Sequence, residues 1–151
     1  MLAIYVDADA CPVKEEVYRV AARYGLHVYV VANTGMSVPE REGIERVVVR
    51  GRFDAADDWI AERVAADDLV ITDDLPLADR AVKRGACVLT PRGRRLTEDS
   101  IGDALATRNL MAGLREAGAV TGGPRPFTRK DRSQFLSRLD EAIQATKRRR
   151  P

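Results

Sequence analysis

The sequence predicts an α/β fold built on a parallel sheet that is covered on both faces. Three observations carry this. Short apolar runs of strand length alternate along the chain with stretches whose apolar residues recur at helical spacing. Turn formers such as Gly25 and Gly85 sit where the helices should stop. No apolar run approaches the roughly 18–20 residues of a membrane helix. The length of 151 residues fits one compact domain, and 45% hydrophobic residues are too many for a disordered chain.

Leu2–Val6 reads as the first strand. Pro12 suits the first turn of a helix, and Val13, Val17, Val20, Ala21 and Tyr24 follow at helical spacing up to Gly25. Leu26–Ala32 is the second strand, Asn33–Gly43 a loop rich in turn formers, and Ile44–Arg50 the third strand. Asp54 is a candidate N-cap with Asp57 as its capping partner, for a helix to about Ala66 that turns Ala56, Trp59, Ile60 and Val64 inward. Asp68–Thr72 is the fourth strand, with Asp67-Asp68 taken as a solvated turn, and Asp73-Asp74-Leu75-Pro76 opens the next helix. Ala86–Thr90 is the fifth strand and Pro91–Arg95 a turn. A long helix is expected over about 97–117. Gly118–Pro126 should be irregular, and a last helix over 129–146 buries Phe135, Leu136, Leu139 and Ile143. The basic tail 147–151 is expected to be disordered, leaving a single domain over 1–146.

The formal net charge of +2 is unevenly placed. Residues 1–90 hold 11 Lys/Arg against 16 Asp/Glu, whereas residues 91–151 hold 14 against 7. A basic region beside an acidic one suits a polyanion held next to metal-binding carboxylates; a solvated surface is the plainer explanation. The two cysteines, Cys11 and Cys87, form no zinc spacing and are expected to be free thiols. His27, the only histidine, alternates away from the apolar face of its strand and is expected at the surface. Ser37 and Ser100 have no histidine to activate them, and neither GxxxxGK[ST] nor GxGxxG occurs. A Ser-His-Asp hydrolase is thereby excluded, and the missing glycine motifs argue against a P-loop nucleotidase or a Rossmann dehydrogenase. The first residues show no basic n-region or cleavage pattern, so the cytoplasm is the expected compartment, with no membrane partner.

The chemistry is expected where ligands bind in parallel sheets, beyond the carboxyl ends of the strands. Asp7 and Asp9 follow the first strand, Asp54, Asp57 and Asp58 open a helix after the third, and Asp73 and Asp74 follow the fourth. Like charges gathered in one cleft repel unless a cation neutralises them, and such hard oxygen donors suit Mg²⁺ or Mn²⁺. Each acid also has a structural explanation, as a cap or turn former, although Asp7 and Asp9 are poorly placed to cap the helix near Pro12.

Asp7-Ala8-Asp9-Ala10-Cys11-Pro12-Val13-Lys14, Gly51-Arg52-Phe53-Asp54-Ala55-Ala56-Asp57-Asp58-Trp59-Ile60 and Ile71-Thr72-Asp73-Asp74-Leu75-Pro76-Leu77-Ala78 resemble the bacterial YaiI/YqxD family of uncharacterised proteins. Pro91-Arg92-Gly93, Gly123-Pro124, Phe127-Thr128 and Asp131-Arg132 extend the resemblance over nearly the whole chain. The family looks like a member of the PIN-like superfamily, largely metal-dependent nucleases. The resemblance therefore implies a three-layer α/β/α PIN-like fold with a central, mainly parallel five-stranded sheet. It carries the PIN-like acids onto Asp7, one or both of Asp57 and Asp58, and Asp73 with Asp74, while Asp9 and Cys11 belong to this family's own motif.

The expected activity is divalent-metal-dependent phosphodiester hydrolysis of nucleic acid, RNA rather than DNA. Asp7, Asp57 and Asp73 would be the primary ligands of Mg²⁺ or Mn²⁺, with Asp9, Asp58 and Asp74 beside them. Arg92, Arg94, Arg95, Arg125, Arg129, Lys130 and Arg132 would hold phosphates. Only Phe127 is interleaved with these cations, so base stacking is not expected. A rival reading is a non-catalytic nucleic-acid or ribosome-associated binding protein. A haloacid-dehalogenase-like phosphatase ranks lower, because no lysine lies between Lys14 and Lys83 to hold the phosphoryl group.

Overall fold

A computed structural model of the chain describes residues 2–9, 11–33, 35, 38–39, 41–51, 54–118 and 125–149. Most of the link expected to be irregular over Gly118–Pro126 lies outside them, as do Ser37, Arg52-Phe53 and Arg150, and part of the Asn33–Gly43 loop. Six strands and five helices follow in the order β1 (Ala3–Asp7), α1 (Lys14–Tyr24), β2 (His27–Ala32), β3 (Ile44–Val48), α2 (Ala55–Arg63), β4 (Leu69–Ile71), α3 (Leu75–Lys83), β5 (Cys87–Leu89), β6 (Arg95–Leu96), α4 (Glu98–Glu116) and α5 (Arg129–Arg149).

The strands form one sheet in the order β3-β2-β1-β4-β5-β6, parallel throughout except for the β5–β6 pair. The chain winds from β1 through β2 to β3 in one direction and from β4 to β5 in the other. The reversal falls between β1 and β4, the place where such sheets leave a crevice. The β1–β4 register pairs Val6 with Ile71, so Asp7 and Thr72 leave the sheet side by side.

Strand alternation assigns side chains to two cores. Ile4, Val6, Val28 and Val30 pack with Val13, Val17 and Val20 around α1 and with Phe135, Leu139 and Ile143 of α5. Tyr5, Val31, Val70 and Val88 pack on the other face with Ile60 of α2, Leu77 and Ala81 of α3 and Ile101 of α4. α5 is fastened to α1 by Arg132, whose guanidinium donates to the buried Glu16 carboxylate at 2.7 Å and to the Pro12 carbonyl at 2.9 Å.

Several expectations are corrected. The sheet has six strands, not five. Gly93 takes φ +89°, and the amides of Gly93 and Arg94 donate to the Thr90 carbonyl and hydroxyl. This tight turn returns the chain antiparallel onto β5, where a plain turn was expected over Pro91–Arg95. The expected Asp54–Asp57 capping box is absent: Asp54 makes no capping bond with its side chain, and Asn33 Oδ1 accepts the Ala56 amide at 3.0 Å instead. Asp68 is no solvated turn residue, because its buried carboxylate accepts the amides of Ala3 and Ala65. His27 is half-buried against the Tyr29 ring rather than at the surface. The last helix continues through Lys147-Arg148-Arg149, residues read as a disordered tail, and Arg149 bonds Asp67 and Thr146. Among the described residues, no helix is long and apolar enough to cross a membrane.

Candidate acidic centre and arginine cleft

The carboxyl ends of β1 and β4 and the start of α2 bring three acids into mutual influence. Asp7 ends β1 and accepts the Thr72 hydroxyl at 2.7 Å through Oδ2. The buried Thr72 hydroxyl also accepts the Asp74 amide at 3.0 Å, which ties the two strand ends together. Burial pushes the Asp7 carboxyl up to about 6 against the Thr72 bond, with help from the charges of Asp74, Asp9 and Asp73.

Asp57, in the first turn of α2, is pushed up to about 7 by burial, by the charges of Asp74 and Asp7, and by a side-chain hydrogen bond to Asp74. The helix start therefore presents Asp57 to the centre. Asp58 points elsewhere, into a 2.7 Å ion pair with Arg80 of α3. Of the acids at the start of α2, Asp57 is the one raised by the charges of Asp74 and Asp7.

Asp74 has two duties. Its Oδ1 accepts the Leu77 amide at 2.9 Å as the N-cap of α3, as a structural reading anticipates, and its side chain also meets Asp57. Asp73 lies on the rim, where desolvation raises its carboxyl and Arg92 lowers it. The exposed Asp9 accepts the Asn33 amide at 3.1 Å, so Asn33 joins the loop after β1 to the start of α2.

Asp7, Asp9, Thr72, Asp73 and Asp74 line a pocket of about 450 Å³ together with Cys11, Pro91 and Arg108. Cys11 is a wall rather than a nucleophile: it is buried, and burial pushes its thiol up. Arg108 enters from α4 and brings a cation to the acid pocket. Sequence reasoning missed it, together with Thr72 and Asn33. None of the three belongs to a charge run or ligand pattern; each is brought in by the register or by the packing of another element.

Among the described residues, no three His, Cys, Asp or Glu side chains are arranged to hold an ion as placed. Asp57 and Asp74 lie close enough for the charge of Asp74 to raise the Asp57 carboxyl. The donor chemistry fits a hard divalent cation, since the centre's acids are all carboxylates and burial and neighbouring charges raise Asp7 and Asp57 among them.

The predicted phosphate-binding residues divide into two groups. Arg92 and Arg125 are engaged by the buried Asp131 at 2.9 and 2.8 Å, and Arg132 by Glu16. Asp131 also accepts the Thr128 amide, and these contacts hold its carboxyl far below the usual range. Arg94, Arg95, Arg129 and Lys130 are exposed. Arg94 and Arg95 line a second, larger cleft of about 1010 Å³ along α5, which Asp73 also borders.

A parallel α/β sheet with an acid centre at its switch point defines the class of molecule. The chain belongs to the family described as "Uncharacterized BCR, YaiI/YqxD family", whose model matches residues 5–145. It is 60% identical over 143 residues to a UPF0178 protein of Gluconacetobacter diazotrophicus, covering 95% of this chain and 93% of the relative. It is 58% identical to UPF0178 proteins of Azorhizobium caulinodans and Brucella ovis, covering 97% of this chain and 92% of each relative. No solved structure matches.

Proposed function

We propose that the acidic centre binds Mg²⁺ or Mn²⁺ and that the protein hydrolyses phosphodiester bonds in nucleic acid, RNA in preference to DNA, as a nuclease of the PIN-like class. One observation carries this reading. Asp7 and Asp57, 50 positions apart in the chain, are half-buried carboxyls from separate elements that burial and the neighbouring acids push up to about 6 and about 7. A fold gains no stability from such crowding. A site built to exchange protons for a cation accounts for it. The order of acids, after β1, at the start of α2 and after β4, also follows the PIN-like pattern.

A bound divalent ion supplies a water of lowered pKa and charge stabilisation for the leaving oxygen. Asp7, Asp57 and Asp74 would hold it, with Asp73 and Asp9 at the rim. Thr72 fixes one oxygen of Asp7 and so orients the carboxylate. Arg108 lines the same pocket and would meet a phosphoryl oxygen there.

The test is cleavage of labelled RNA and DNA during a Mn²⁺ titration, with Asp7→Asn and Asp73→Asn alongside the wild type. Metal-dependent cleavage that both variants lose supports the proposal; equal activity in all three proteins removes it. The second reading, a nucleic-acid-binding protein without catalysis, is favoured by the capping bond of Asp74 and by the Thr72 bond of Asp7, which give both acids structural duties. It predicts salt-sensitive binding indifferent to Mn²⁺ and to Asp7→Asn.

A further inference from the structure

We infer that the arginine-lined cleft along α5 is the track on which a nucleic-acid strand lies, with Arg94, Arg95, Arg138 and Arg148 as its phosphate contacts. The inference rests on the proposed phosphodiester substrate and names the surface that receives it.

The cleft is lined by six arginines against three acids, Asp73, Asp131 and Glu141. The charges do not cancel by pairing. Asp131 engages Arg92 and Arg125, and Glu141 meets Arg138 only in an exposed contact at 3.3 Å. Arg94, Arg95 and Arg148 have no ion pair among the described residues. Three such cations on one concave surface repel one another, and a polyanion relieves that repulsion.

The shape suits a strand rather than a single phosphate. On α5 the lining residues Gln134, Arg138, Ala142, Ala145 and Arg148 fall on one face. From Gln134 to Arg148 is a rise of 14 positions, about 21 Å of helix. Ala142 and Ala145 keep the middle of that face low between Arg138 and Arg148. No aromatic side chain lines the cleft, so it offers charge without a platform for base stacking, and recognition should be independent of sequence.

The track leads to the acidic centre. Asp73 borders both the cleft and the acid pocket, and Arg94 lines the cleft and also a smaller hollow with Arg108, which itself reaches the acid pocket. Arg138 and Arg148 escaped sequence reasoning because they lie amid other charges on a polar helix. Only the packing of α5 beside β5 and β6 shows which arginines share a face.

The experiment is fluorescence-anisotropy binding of a labelled oligouridylate to the full chain in EDTA, across roughly 50 to 300 mM salt. Each phosphate contact on a single strand adds about 0.7 to the slope of log K against log salt. Arg94→Gln with Arg148→Gln should flatten the slope by about 1.4 and weaken binding at every salt concentration. Arg19→Gln, an exposed change on α1 outside the cleft, should leave it unaltered. A double variant with the wild-type slope, or a wild-type protein that shows no salt-sensitive binding, overturns the track. Cleavage separates this inference from the nuclease reading. Binding as predicted without Mn²⁺-dependent cleavage sinks the nuclease alone; cleavage by wild type with an unaltered slope in the double variant sinks the track alone.

Discussion

Thr72 donates its hydroxyl to Asp7 Oδ2 at 2.7 Å and so joins the carboxyl ends of β4 and β1. The bond fixes one oxygen of a carboxyl that burial nonetheless pushes up to about 6. Asp57, at the start of α2, is pushed up to about 7 by burial and by the charges of Asp74 and Asp7.

The first prediction concerns stability against pH. Asp7 and Asp57 have folded pKa values of about 6 and 7, above the 3.8 of the free side chain. The folded state therefore binds more protons than the unfolded state between pH 4 and about 7, and stability falls as pH rises through that window. Asp57→Asn, which mimics the protonated acid, should raise Tm at pH 8 and change it little at pH 4. Thermal melts of the apo protein at the two pH values check this; an unchanged Tm at pH 8 contradicts it.

The second concerns Asp131, whose carboxyl is shifted the opposite way. The Arg125 bonds and the amide and hydroxyl of Thr128 hold it low, so its contribution is present above pH 4 and is lost as pH falls through its folded value. Asp131→Asn removes the charge that gathers both arginines and should lower Tm at pH 7 by several degrees, with the deficit shrinking in acid. A constant deficit across pH would show that the charge is not the cause.

The third concerns Gly93. Its φ of +89° favours glycine, and a Cβ there would meet the backbone of Gln134 and Phe135 at 3.0 Å. Gly93→Ala should cost about 2–4 kcal/mol in urea unfolding, the sum of left-handed strain and overpacking against α5. A loss within a few tenths of a kcal/mol would contradict the close approach of turn and helix.

How far the sequence reveals this architecture follows from the kind of signal each part leaves. The parallel strands around β1 and the helices α1, α3 and α5 are legible because their apolar residues recur with the period of the element and glycines end two of the helices. β6 is not, because two residues carry no periodicity and the hairpin depends on Thr90 and Gly93 meeting in space. Asp7, Asp9, Asp73 and Asp74 are visible as acids after apolar strands. That Asp57 lies near Asp7 and Asp74 while Asp58 pairs with Arg80 is invisible, since adjacent residues differ only in which way the helix turns them. Asn33 capping α2 from the end of another strand leaves no local trace at all. Arg92 and Arg132 read as free cations because their acidic partners, Asp131 and Glu16, meet them only through the packing of α5 against the turn after β5 and against α1; Arg125 reaches Asp131 locally, six residues on.

The fourth prediction links the proton to the metal. If a cation displaces the protons held by Asp7 and Asp57, its binding releases protons and tightens with rising pH. Millimolar Mn²⁺ should raise Tm more at pH 8 than at pH 6, and Asp7→Asn should abolish the increment, which grows as RT ln(1 + [L]/Kd). A pH-independent increment, or one retained in Asp7→Asn, would place the metal elsewhere.

The central claim is that the acids at the ends of β1 and β4 and the start of α2 form a cation site. An anomalous difference map from crystals soaked in Mn²⁺ at pH 8 tests it most directly. The account predicts a peak coordinated by Asp7 together with Asp57 or Asp74; a map without a peak there would contradict it.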